Sequence, residues 1–134
     1  MDYHIFIRSA LYVKWRVIKT TDAGCKFNLV AGNGQVIGTS QVYSSMDGCK
    51  NGIESVKTNA PIAPIEDQTK EGYEELTNPK FEVYADKAGE FRFRLTAKNG
   101  QNILASEGYS QMAGCTNGIE SVKTNAPDAE VVNE

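Results

Sequence analysis

Along this chain apolar and polar residues alternate, then step by three and four, then alternate again, and the whole cycle occurs twice. In the clearest alternating run, Phe91, Phe93, Leu95 and Ala97 share one face of an extended chain, while Arg92, Arg94 and Thr96 share the other. Side chains of a strand repeat every two residues, so this run predicts a half-buried strand. Cys25, Phe27, Leu29 and Ala31 give the same pattern earlier. Trp15-Arg-Val-Ile-Lys and Phe81-Glu-Val-Tyr-Ala alternate likewise, and each predicts a preceding strand that ends at a glycine-bearing turn. Asn33-Gly34 and Asn99-Gly100 suit the positive φ angles of a two-residue type I′ hairpin turn, with return strands over residues 36–40 and 102–106. Such a turn sets Leu95 opposite Leu104 and leaves Ile103 on the other face. Either that face is also partly covered or a bulge shifts the register.

The spacing then changes. Met46, Cys49, Ile53, Val56 and Ala60 form the stripe of an amphipathic helix. Ser44 is the expected N-cap, with Asp47 completing a capping-box-like pair; the second copy keeps Ser110 but has Ala113. Pro61 and Pro127 stop the helices, because proline disfavours helical geometry in the residue before it. Gly48 and Gly52, like Gly114 and Gly118, cost about 1 kcal/mol each in a helix interior. Their spacing of four places each pair on one side, where another segment can approach closely. Residues 62–67 and 128–133 add one more strand per copy. Pro64, at the place of Glu130, limits the first of these to a sheet edge or a bulge.

The duplication organises all of this. Residues 51–61 read NGIESVKTNAP and recur letter for letter at 117–127, an offset of 117 − 51 = 66. A unit of roughly 55–60 residues has a marginal core, so two units are more stable sharing one. The predicted organisation is an extension over 1–14, a first repeat over 15–67, a polar linker over 68–78 and a second repeat over 79–134. Alternation of Tyr3, Ile5 and Ile7 in the extension is compatible with an extra edge strand or with a disordered leader.

FEVYADKAGEFRFRLTAKNGQ, followed by ASEGYS and NGIESVKTNAPDAEVV, closely resembles the YegP-like family of small bacterial proteins. The resemblance covers residues 81–133 fully and 15–67 more loosely. It implies an α+β fold of two tandem β-β-β-α-β repeats forming one continuous antiparallel sheet. Both helices are expected on one face, with the C-terminal strands exchanged between repeats about a pseudo-two-fold. It implies no reaction. The chain departs from the family pattern in its leader, its long linker, Pro64, and Cys25 where the second copy has Phe91.

Charge and chemistry narrow the function without naming it. Net charge is 14 − 17 = −3, which gives no long-range pull toward nucleic acid or an anionic membrane. Acidic Asp2 and Arg8 make the start a poor secretory signal. Three cysteines without a C-x-x-C pair fit a reducing compartment, and a cytoplasmic protein is expected. His4, the single histidine, has no partnered nucleophile in view. Cys49 and Cys115 fall on the apolar stripe and read as buried hydrophobes. The glycine-rich stretch 32–38 leads into a strand and has the wrong spacing for a phosphate loop. No acidic cluster is spaced for a metal, and no cofactor is expected.

Two polar surfaces remain as candidates. One is the outward helix set, Asn51, Glu54 and Lys57 with Asn117, Glu120 and Lys123, flanked by Tyr43 and Tyr109 at the helix entrances. The other is the sheet face bearing Tyr84, Arg92 and Arg94, where an aromatic beside arginines suits single-stranded nucleic acid. The favoured reading is a non-enzymatic structural or protein-interaction module, a monomer with an internal pseudo-dimer. It would engage a protein partner or self-associate. Single-stranded nucleic-acid binding and small-molecule binding are the alternatives.

Overall fold

A computed structural model of the chain describes residues 13–20 and 23–133. His4 and the alternation of Tyr3, Ile5 and Ile7 lie outside the described residues. The first repeat runs β1 (Lys14–Lys19), β2 (Cys25–Val30), β3 (Val36–Thr39), α1 (Met46–Asn59) and β4 (Ile65–Asp67). The second runs β5 (Lys80–Ala85), β6 (Phe91–Thr96), β7 (Asn102–Ala105), α2 (Met112–Asn125), a single 3-10 turn (Ala126–Asp128) and β8 (Glu130–Asn133). No helix among the described residues is long and apolar enough to cross a membrane.

All eight strands of the described residues join one sheet in the order β4-β5-β6-β7-β3-β2-β1-β8. The last strand of each repeat therefore flanks the first strand of the other, and the exchange is complete on both sides. The sheet is mixed, which corrects the antiparallel expectation. β4 runs parallel to β5 (Ile65↔Phe81) and β8 parallel to β1 (Val131↔Trp15), while the six inner strands are antiparallel. The reason is connectivity. Tight hairpins give antiparallel pairs, whereas a parallel neighbour needs a crossover of about a dozen residues or more. β4 and β5 are separated by the whole linker, and β1 and β8 by most of the chain.

The repeats meet at Thr39↔Ala105. These positions differ by 105 − 39 = 66, the repeat offset, so the pseudo-two-fold passes between them. Gly38 and Leu104 are likewise equivalent, and here the copies differ for a steric reason. A Cβ on Gly38 would lie 2.7 Å from Leu104 Cγ, so the glycine of one copy makes room for the leucine of the other.

One continuous core lies between sheet and helices. Trp15 opposes Leu29 and Val17 opposes Phe27; Phe81 opposes Leu95 and Val83 opposes Phe93; all eight are buried. Helix α1 lies over β2 and β7, and α2 over β6 and β3, so each covers strands from both repeats. Cys49, Ile53, Val56 and Ala60 are buried as the stripe predicts, while Met46 packs at the margin. The close approach at the helix glycines comes from rings. A Cβ on Gly52 would lie 2.5 Å from the Tyr43 hydroxyl oxygen, and one on Gly118 2.7 Å from that of Tyr109. Tyr43 stacks on Phe27 with centroids 6.1 Å apart, so these tyrosines belong to the packing.

Two local expectations are corrected. Gly34 (φ 88°) and Gly100 (φ 83°) adopt positive φ, but Asn33 and Asn99 do not. The turns are three-residue loops closed by Gly34 N–H to Ala31 O at 2.9 Å and Ala31 N–H to Gln35 O at 2.8 Å, with the same pattern at Ala97, Gly100 and Gln101. This is a type I turn followed by a left-handed glycine, and asparagine–glycine serves it as well as type I′. Leu95 does oppose Leu104, and a bulge follows, leaving Ile103 as the extra, buried residue. At the helix start, Ser45 and not Ser44 is the cap, its Oγ accepting from Gly48 N–H at 3.0 Å. Its counterpart Gln111 makes no side-chain cap bond, so Ser110 does not cap α2.

The shared axis gives a test. Gly38→Leu should cost about 2–3 kcal/mol by overpacking, and Leu104→Gly about 3–5 kcal/mol by leaving a cavity. The exchanged double variant should cost less than the sum of the two in urea denaturation. Strict additivity would show that the two positions do not share one space.

Candidate functional site

The sheet face away from the helices carries Tyr84, Arg92 and Arg94. Arg94 and Glu82 are opposed across β5 and β6, with Arg94 Nε 2.5 Å from Glu82 Oε1. The Arg94 guanidinium lies 4.5 Å from the centroid of the Tyr84 ring. Arg92 Nε stands 2.7 Å from Asp86 Oδ2 and holds that carboxyl below its ordinary value. Both arginines are thus neutralised by carboxylates in place.

Deeper on the same face is a buried pair that sequence reasoning missed. Lys80 Nζ lies 2.8 Å from Glu66 Oε1 and 3.3 Å from Glu82 Oε2, and Glu66 is only 2% exposed. Glu66 sits on β4, the exchanged strand. It also accepts from Gln68 Nε2 at 2.7 Å and from Leu76 N–H at 2.7 Å. Lys80 donates in turn to Leu76 O at 3.1 Å, and Thr96 Oγ1 to Asn78 Oδ1 at 2.7 Å. Residues 76–78, the end of the polar linker read from the sequence, are therefore fastened to the sheet. Burial alone would raise the Glu66 pKa. Hydrogen bonds from Lys80, Gln68 and the Leu76 amide overcome it and lower the value to about 2.

The outward helix residues form a different surface. Asn51 and Glu54 are exposed, as are Asn117 and Glu120. Lys57 Nζ lies 3.8 Å from Glu54 Oε1, one turn away. Lys123 is committed to the fold: its Nζ donates to Ala63 O at 2.8 Å and lies 6.0 Å from the Phe81 ring centroid. The two lysines thus occupy equivalent positions with different duties. Between α1 and the β6–β7 turn runs an open groove of about 430 Å³. Asn51, Glu54, Ser55 and Asn59 form one wall, and Lys98 and Asn99 the other. The helix comes from one repeat and the turn from the other, so the groove exists only in the paired fold.

Cys49 and Cys115 are buried thiols on the apolar faces of the helices. Burial, then the neighbouring Cys25, pushes the Cys49 thiol up to about 12. Burial and the Asp67 charge push Cys115 up to about 11. Both stay protonated at neutral pH, and the thiolate is the nucleophile.

A family model described as a domain of unknown function (DUF1508) matches the chain twice, over residues 22–67 and 86–133. The chain belongs to this family. A UPF0339 protein of Pseudomonas aeruginosa is 35% identical over 121 residues, which cover 90% of this chain and 96% of that protein. Another, from Stutzerimonas stutzeri, is 75% identical over 48 residues, covering 36% of this chain and 43% of that relative. The solution structure of Escherichia coli YegP, a protein of unknown function, has a TM-score of 0.75 and 30% identity. It covers 92% of this chain and 94% of YegP. The YegP-like resemblance and the tandem α+β fold are thereby shown, and no function is established for the DUF1508 family.

In this DUF1508 chain the Glu66–Lys80 pair should govern acid stability. The folded pKa of Glu66 is depressed below the ordinary 4.5, so its contribution is present above pH 4.5 and is lost as pH falls toward 2. Glu66→Gln should cost about 3 kcal/mol at pH 7, because Lys80 is left buried with less compensation. The variant should also lose less stability than wild type between pH 4.5 and 2. Urea midpoints at pH 7 and pH 3 measure both; equal acid sensitivity would show that Glu66 is not the titrating group.

Proposed function

We propose that this chain is a non-enzymatic protein-interaction module of YegP-like type, working in the cytoplasm as a monomer with an internal pseudo-dimer. The observation that carries this reading is the contrast between its two candidate surfaces. On the sheet face Arg92 and Arg94 are bound by Asp86 and Glu82, and Tyr84 is covered by Arg94. A phosphate backbone would have to displace those carboxylates, so the nucleic-acid reading has the weaker support. On the helices, Asn51 and Glu54 recur as exposed Asn117 and Glu120, off the buried stripe. Polar side chains that are exposed and repeated suit two partner surfaces related by the pseudo-two-fold.

The test is Glu54→Lys combined with Glu120→Lys. The double variant should stay within about 0.5 kcal/mol of wild type in thermal unfolding, as exposed substitutions do. It should also lose partners that co-purify with wild type from the native cell. A folded variant with an unchanged partner set removes the helix face. Salt-dependent binding of oligonucleotides to wild type would restore the nucleic-acid reading.

A further inference from the structure

We propose that the groove between α1 and the β6–β7 turn binds the carboxy-terminal segment of a partner polypeptide in extended form, with its terminal carboxylate at Lys98. This rests on the interaction-module reading and names the ligand for one of its surfaces. The juxtaposition that carries it is an acceptor-bearing helix wall facing a donor-bearing turn.

Internal hydrogen bonds fix what each wall offers. Asn59 is 6% exposed, and its Nδ2 donates to Ser55 O at 2.8 Å and Ser55 Oγ at 3.1 Å, leaving Oδ1 as the acceptor. Glu54 adds a carboxylate on the same wall. Across the groove, Asn99 Oδ1 accepts from Gln101 N–H at 2.9 Å, leaving Nδ2 as a donor, and Lys98 lines the same wall. An extended peptide end is complementary: its N–H groups meet the helix wall and its carboxylate meets the turn. A phosphate-rich ligand is disfavoured by Glu54, and a purely cationic one by Lys98.

The duplication supplies a control. Around α2 the wall recurs as Glu120, Ser121 and Asn125, with Asn125 Nδ2 donating to Ser121 O at 3.0 Å and Ser121 Oγ at 3.3 Å. The counterpart of Lys98 is Gly32 (98 − 66 = 32), which carries no charge. The carboxylate site therefore belongs to the first groove alone.

The experiment titrates the isotope-labelled full chain with acetyl-Ala-Ala-Ser-Ala bearing a free carboxylate, and with its carboxy-amidated form. The free acid should shift the amide resonances of Ser55, Asn59, Lys98 and Asn99. Amidation, or Lys98→Gly in a chain shown by melting to be folded, should weaken binding about fivefold, the scale of an exposed charge-assisted contact. Added salt should weaken the free acid more than the amide. Gly32→Lys should create a second responding set at Ser121 and Asn125. Equal binding of acid and amide, or shifts confined to other residues, overturns the proposal. If the groove is silent while Glu54→Lys with Glu120→Lys still loses partners, the carboxy-terminus assignment falls and the interaction module stands.

Discussion

Each repeat gives its last strand to the other, and the rest of the structure depends on that exchange. Without β8 the first repeat would present β1 as an open edge, and without β4 the second would present β5. Trp15 shows how tightly the ends are joined. Its indole Nε1 donates to Ala126 O at 3.1 Å in the buried core, across 111 positions of chain. A buried donor left without that acceptor costs about 1–3 kcal/mol, so the first strand is satisfied only when the turn that follows the second helix is in place. Loop-closure entropy grows slowly with loop length, which makes such distant joining tolerable in a chain this short. The sharing of helices over both halves has the same consequence: neither half possesses a whole core.

Symmetry of sequence does not extend to the two ends of the sheet. At the β4 end Glu66, Lys80, Glu82 and Arg94 form a ladder of alternating charge beneath the linker. Their counterparts at the β8 end are Val132, Lys14, Arg16 and Asn28, a set without a carboxylate. A buried ion pair often adds little net stability against apolar residues of similar size. What this one contributes is placement, since Leu76 is bonded to both members and the linker is thereby laid across the sheet. The exchanged strand and the chain that follows it are fixed by the same carboxylate.

Much of the fold was legible because burial on one face leaves a period. The alternation of Phe91, Phe93 and Leu95 and the stripe through Cys49, Ile53 and Val56 each say which side is inside. What periodicity cannot show is where a charge is buried. Glu66 is the middle residue of β4 and Lys80 opens β5, each on the polar side of its strand's alternation, and the linker residue Leu76 is bonded to both. The hairpin turn was misassigned because asparagine–glycine is compatible with two loop geometries, and backbone hydrogen bonds decide between them. The N-cap moved from Ser44 to Ser45 because two serines stand side by side and helix termini are the least determined part of a pattern. The groove was illegible for a different reason. Asn59 and Lys98 come from different repeats, and no local signal joins them. The exposed helix positions could be read from the sequence, but the turn that faces them across the groove could not.

The eleven residues shared by both repeats can be divided by what the fold requires of them. Ile53, Val56 and Ala60 are buried, and Gly52 makes space for the Tyr43 hydroxyl. Ser55 and Asn59 are tied to each other by hydrogen bonds, as are Ser121 and Asn125. Lys123 holds the chain just before the exchanged strand of the other repeat, which accounts for a lysine there. Lys57 has no such duty, and its 3.8 Å pairing with Glu54 is a surface contact of the kind worth less than about 1 kcal/mol. Glu54 itself has 71% of its side chain exposed, and no core contact calls for a carboxylate at that place. Packing and hydrogen bonding therefore account for most of the shared stretch and stop short of Glu54. A functional account of the helix face has to begin with such exposed positions, Asn51 and Glu54, which the packing does not use.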